Sequence, residues 1–90
     1  VPFLIKELGV HVQGTPQRRG SKGYEKYVSD KDSFLTQQLR SAGFTFVGKS
    51  NTPEFGLTPY TEPKAYGSTG NAWNPKYTAG GSSGGSAAGV

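Results

Sequence analysis

The run Gly80-Gly81-Ser82-Ser83-Gly84-Gly85-Ser86-Ala87-Ala88-Gly89-Val90 constrains this chain more than any other stretch. Two glycine pairs bracket a serine pair, and a third serine leads into small, helix-compatible residues. A flexible spacer has no reason to keep that symmetry or to run into Ala87-Ala88. A loop that brings backbone and hydroxyl groups close to a reacting centre does, because only glycine permits such close approach and the positive-φ geometry that goes with it. The run therefore reads as one half of an active site. The other half is a lysine near the opposite end, Lys6.

Ninety residues hold at most one small domain. The chain opens on Val1 without a methionine and stops at Val90 among small residues, so a piece of a larger domain is expected. The net charge is +4, but the ten Lys and Arg are scattered and only Arg18-Arg19 are adjacent. No basic run is interleaved with aromatics, so nucleic acid is not an expected partner. The opening Val-Pro-Phe-Leu-Ile-Lys has too short an apolar run for a signal peptide or a membrane span. Cysteine is absent, which removes disulfide and thiolate chemistry and fits a cytoplasmic protein. No metal or cofactor is expected.

Taken in order, Val1 to Leu8 reads as a strand. Phe3, Leu4 and Ile5 form a continuous apolar run of the kind buried on both faces. Lys6 follows directly, so it either snorkels to solvent or is held in the interior with partners. Gly9 and Gly14-Thr15-Pro16 limit Val10-His11-Val12 to a short strand at best, with His11 on its polar face. Residues 17–29 read as a loop with one helical turn near Tyr24 to Val28. A helix over about 31–42 is predicted, capped by Asp30 or Asp32. Its apolar side is Phe34, Leu35, Leu39 and Ala42, and Gly43 ends it. A strand over 44–49 follows. Helix, glycine and strand in that order are half of a right-handed crossover, so a parallel or mixed sheet is expected. Thr52-Pro53-Glu54-Phe55 looks like a helix start with Thr52 as N-cap, stopped early by Gly56 or Pro59. From Thr58 to Thr78 the chain is a long loop, a length that marks a functional loop in a compact domain. Trp73 and the tyrosines there either line a cleft or cover the edge of the core.

Two motif matches fail on context. Gly43 to Ser50 fits G-x-x-x-x-G-K-[ST], but a phosphate loop must follow a strand and open a helix. Here the middle residues are themselves the strand. Gly80 to Gly84 and Gly81 to Gly85 both fit G-x-S-x-G, yet Asn74 to Ala79 is not the apolar strand that a nucleophile elbow requires. An α/β-hydrolase remains an alternative enzyme class at this point.

A third match takes the two ends together. Gly80 to Ser86 resembles the core of the amidase signature family, and Pro2 to Leu8 resembles its lysine segment. Leu39 to Gly43, Val47 to Phe55, Tyr66 to Asn71 and Asn74-Pro75 resemble the segments between, in the family's order. The resemblance covers essentially all ninety residues. It implies an α/β fold, part of the amidase signature fold with its mixed sheet covered by helices, incomplete in this chain. Residues 1–90 would form a partial domain: lysine strand 1–8, helix about 31–42, strand 44–49, long loop 58–78 and Gly/Ser loop 80–86.

The resemblance also implies hydrolysis of amide bonds through a Ser–Ser–Lys triad. Lys6 would be the base and Ser82 the bridging serine, with the Gly81–Ser82 peptide bond cis. Gly81 and Ser83 would support the loop, Ser83 by holding it or by touching the lysine. The acyl-forming serine and its oxyanion-hole amides would lie past Val90. The residue types suit the chemistry. A serine hydroxyl needs a base to become a nucleophile. A lysine serves as that base only as the neutral amine, which burial or a neighbouring cation favours. A bridging hydroxyl both donates and accepts, which suits a relay. A helix from Gly84 would point its N-terminus into the site. The expected partner is a small-molecule amide, with a homodimeric full-length parent. Two alternatives stand beside this reading. One is the family's amidotransferase subunit, which works with partner subunits. The other is a non-enzymatic binding module. The segment Thr58 to Tyr66 resembles stand-alone amidases of actinobacterial type, including those acting on amino-acid amides or nylon oligomers.

Overall fold

A proline at the first position of a strand leaves no ladder hydrogen bond unmade, and Pro2 opens β1 (Pro2–Lys6). The computed structural model describes all 90 residues. After β1 come α1 (Phe34–Ser41), β2 (Thr45–Ser50) and α2 (Gly84–Gly89), with 3-10 turns at Lys22–Tyr24 and Glu54–Gly56. β1 and β2 pair in parallel, with Phe3 opposite Phe46 and Lys6 opposite Ser50. Parallel pairing needs a crossover between the strands, and the segment carrying α1 supplies it. The register slips between Phe3 and Leu4, leaving Val47 as the extra residue of a bulge on β2. The sequence match at Gly43 to Ser50 is therefore strand throughout its last six residues, with no phosphate loop.

α1 begins at Phe34, later than predicted, because Ser33 caps it rather than Asp30 or Asp32. Ser33 Oγ accepts from the Thr36 amide at 3.4 Å and from the His11 amide at 3.3 Å. Asp32 is engaged elsewhere: it accepts from the Gln13 amide at 2.7 Å and pairs with Arg40 at 2.9 Å. That Gln13 amide, with Arg40 beside it, holds the Asp32 carboxyl below the usual carboxylate range. Gly43 follows the helix at φ +89°, the left-handed stop its position predicts. The expected apolar stripe is not the buried side of α1. Phe34 and Leu35 are exposed, and the one buried residue is Thr36, whose hydroxyl donates to the His11 carbonyl at 2.5 Å.

Three local expectations are corrected. Val10-His11-Val12 forms no strand, because the His11 amide and carbonyl are spent on Ser33 and Thr36. The His11 ring is half-buried with Nδ1 3.3 Å from Ser29 Oγ. The helical turn predicted near Tyr24 to Val28 lies at Lys22–Tyr24, where Ser21 Oγ accepts from the Gly23 amide. Thr52 caps no helix: Pro53 precedes a single 3-10 turn in which Phe55 is left-handed, φ 51°.

The buried interior is polar. Ile5 and Val12 are its hydrophobic members, against Glu7, Gln17, Thr36, Ser50, Thr52 and Thr61 among others. Phe3 stacks edge-on against Phe44 at 5.1 Å. Buried polar groups need partners, and here all but Arg18 Nε find them, in one another and in loop backbone. That web, more than an apolar core, places the residues described next.

Candidate active site

Lys6 closes β1, and Ser50 beside it closes β2, so both strands end at one place. Lys6 Nζ donates to Ser82 Oγ at 2.7 Å across 76 positions of sequence. Both side chains are half-buried. The structure thus brings together the two residues that the sequence singled out from opposite ends. The Gly81–Ser82 peptide bond is cis.

Glycine is required where the loop meets its surroundings. A β-carbon at Gly81 would lie 2.9 Å from the Tyr60 amide nitrogen and 3.0 Å from the Thr58 carbonyl. At Gly84 it would stand 2.2 Å from Thr61 Oγ1, and at Gly85 2.1 Å from the Asn51 amide nitrogen. Contacts below 3 Å leave no room for a side chain: backbone closes on Gly81 and Gly85 and the Thr61 side chain on Gly84, whereas Gly80 has open space and is left-handed at φ +76°. Ser83 is exposed at the N-cap position of α2 and makes no capping hydrogen bond. It does not touch the lysine among the hydrogen bonds formed. Nor do the first amides of α2 stand open: Gly84 donates to Thr61 Oγ1 at 3.1 Å and Gly85 to the Asn51 carbonyl at 3.1 Å. The helix start is used to anchor the loop.

Several anchoring residues were not visible as such in the sequence. Thr61 is fully buried, and its hydroxyl donates to the Gly80 carbonyl at 2.8 Å. Thr52, also fully buried, donates to the Ser82 carbonyl at 3.1 Å. Ser50 and Ser86 share a hydrogen bond at 2.6 Å. A signal was present in principle: a glycine loop with many free carbonyls needs donors, and threonines flank Pro53 and Pro59 nearby. Pairing donor with acceptor across the chain takes the tertiary structure.

A cavity of about 500 Å³ lies elsewhere. Glu7, Arg18, Lys49 and Tyr66 line it, and neither Lys6 nor Ser82 does. Glu7 is buried and accepts from the Tyr66 hydroxyl and, at 3.4 Å, from the Arg18 amide. Burial, then the Glu7 carboxylate, pushes the Tyr66 hydroxyl up to about 12. Burial pulls the Lys49 ammonium below its ordinary range against the pull of Glu7. Lys49 donates to Gln17 Oε1 at 2.6 Å and to the Pro16 carbonyl, and Gln17 donates to the Glu7 carbonyl. This is a closed polar web that fixes the end of β1 one residue past Lys6. Of the long loop's aromatics, Tyr66 lines this cavity, and Trp73, 97% exposed, lines a separate groove with Ala79, Ala87 and Ala88.

Chemically, an amine and a hydroxyl at 2.7 Å can exchange roles, since the hydroxyl has one donor and two acceptor sites. The pair can carry a proton between Nζ and whatever group next meets Ser82 Oγ. No three His, Cys, Asp or Glu gather where they could hold a metal ion. No helix is long and apolar enough to cross a membrane.

The family model described as Amidase matches residues 1–90. A 6-aminohexanoate-cyclic-dimer hydrolase of Paenarthrobacter ureafaciens is 47% identical over 92 residues, covering 100% of this chain and 19% of the relative. A glutamyl-tRNA(Gln) amidotransferase subunit of Endomicrobium trichonymphae is 42% identical, covering 100% of this chain and 18% of the relative. The solved structure of a 6-aminohexanoate cyclic dimer hydrolase complexed with substrate superposes with a TM-score of 0.92 at 45% identity. That match covers 98% of this chain and 19% of the solved one. The chain thus spans about a fifth of the length of the relatives it matches.

Proposed function

This chain belongs to the amidase family, and on that premise we propose that its full-length parent hydrolyses carboxamide C–N bonds. The observation that carries the reading is the 2.7 Å hydrogen bond between Lys6 Nζ and Ser82 Oγ. A serine supplied outside these residues attacks the amide carbon. Its proton passes to Ser82 Oγ while the Ser82 proton passes to the neutral amine of Lys6. The lysine ammonium returns a proton through the same relay to the leaving nitrogen, and the C–N bond breaks to leave an acyl-enzyme. Water then takes the place of the amine and releases the acid by the same route.

Small carboxamides are the substrate class. Linear and cyclic amides of 6-aminohexanoate are the first to test, because a relative named for the cyclic dimer is 47% identical. The absence of cysteine supports a cytoplasmic setting. A homodimeric parent, with neither nucleic acid nor membrane as partner, completes the proposal. The test is steady-state hydrolysis of small aliphatic and aryl amides by the full-length protein. Lys6→Ala and Ser82→Ala are each expected to lower kcat by about 100- to 10,000-fold. A Lys6→Ala enzyme with full activity overturns the assignment. The 42% identity to an amidotransferase component supports a second reading. It requires amide cleavage to appear only when partner subunits are added.

A further inference from the structure

Three consecutive residues at the end of β2 each hold one point of the Gly/Ser loop and its helix. Ser50 Oγ meets Ser86 Oγ at 2.6 Å, the Asn51 carbonyl accepts from the Gly85 amide at 3.1 Å, and Thr52 Oγ1 donates to the Ser82 carbonyl at 3.1 Å. The same strand end is in register with the lysine: Ser50 pairs with Lys6, and its hydroxyl also reaches the Ile5 carbonyl at 3.4 Å. One short segment therefore touches both members of the Lys6–Ser82 pair, the lysine through the sheet and the serine through a side chain. From these contacts we infer that Thr52 is a positioning residue for proton transfer: its hydroxyl sets the Ser82 peptide so that Ser82 Oγ stands on Lys6 Nζ.

The case rests on burial and on the lack of a substitute. Thr52 is fully buried. Its hydroxyl is the donor that the structure gives the Ser82 carbonyl. Removing it leaves a carbonyl without that partner in a site closed to solvent on the Thr52 side, and an unpaired buried acceptor drives the backbone to turn toward another donor. Ser82 Oγ hangs close to that backbone, so a rotation of its peptide moves the hydroxyl off the lysine. Thr61 holds the neighbouring Gly80 carbonyl and does not touch Ser82, so it cannot replace Thr52. Asn51 presents only backbone at Gly85, which fixes height along the helix but not the orientation of residue 82.

The inference builds on the proposed amidase function, and the experiment separates the two. In the full-length protein, Thr52→Val keeps the shape and removes the donor, while Thr52→Ser keeps the donor. For Thr52→Val, kcat on a small carboxamide is expected to fall about 100-fold with KM unchanged, the scale of an ångström-sized misplacement. Thr52→Ser is expected to retain most of the wild-type kcat. Crystal structures of the two variants give the second readout. In Thr52→Val the Lys6 Nζ to Ser82 Oγ separation is expected to exceed about 3.5 Å, and in Thr52→Ser to stay within hydrogen-bond reach. If Thr52→Val does not give folded protein, Thr52→Ala, which likewise has no donor, takes its place in both measurements. A Lys6–Ser82 separation still at 2.7 Å in the donor-less variant overturns the inference. So does a donor-less variant that loses thermal stability with kcat unchanged. A wild type inert toward every amide refutes the proposed function, and the crystallographic comparison still decides the role of Thr52.

Discussion

Gly85 has no space for a β-carbon, because the Asn51 backbone lies 2.1 Å from where it would stand. Gly14 is the opposite case: it is left-handed at φ +76°, and nothing lies within 4 Å of the same point. The two glycines look alike in the sequence and differ in what they do. Gly85→Ala is expected to destabilise the full-length protein by about 3 kcal/mol or more, since backbone cannot give way as a side-chain tip can. Gly14→Ala pays only the left-handed conformation, about 1 kcal/mol. Thermal denaturation of both variants checks the contrast, and equal losses would refute it. Neither the apolar run before Lys6 nor the glycines around Ser82 singles out its residue alone; the two stand out together, through the order of the motifs between them. Thr52 does not stand out. Its place before Pro53-Glu54 mimics a helix cap, and the hydroxyl instead finds an acceptor thirty positions away.

Among the elements, β1, α1 and β2 follow from local pattern, and their ends do not. The start of α1 depends on which of several polar residues reaches the free amides. Asp32 is drawn off by the Gln13 amide and Arg40, which leaves Ser33 to cap. Ser33→Ala is expected to cost about 1 kcal/mol, the usual worth of such a cap, and to loosen the His11 amide as well. Asp30→Ala, at an exposed position, is expected to stay within about 0.5 kcal/mol. Chemical denaturation of the full-length protein reads both. A larger loss at Asp30 would return the cap to the aspartates. The short helix α2 shows the other limit. Its sequence is weakly helical, and its first amides are held by Thr61 and by the Asn51 carbonyl, both distant in sequence.

For the whole molecule, the balance of buried groups is unusual. The hydrophobic interior consists of Ile5 and Val12, while Phe34, Val47, Leu57 and Trp73 are each more than 60% exposed. So small an apolar interior gives little driving force against the entropy of ordering ninety residues. The 90-residue polypeptide on its own is therefore expected to unfold without a cooperative transition, to bind hydrophobic dyes and to hydrolyse no amide. Calorimetry and near-ultraviolet circular dichroism test this. A sharp transition with matching calorimetric and van't Hoff enthalpies would overturn it.

The sequence by itself determined the elements that depend on neighbours along the chain: an apolar run ending in Lys6, a helix stopped by Gly43, and a loop that only glycine could line. With the order of its motifs it also pointed to the family that the comparisons show. What it could not determine is how donors and acceptors pair across the fold. The polar web of Glu7, Gln17, Lys49 and Tyr66, and the grip of Ser50, Asn51 and Thr52 on the loop, join residues far apart in the chain. A hydrogen bond is short-ranged and directional, so which partners meet is decided only once parallel pairing of β1 with β2 brings them within reach.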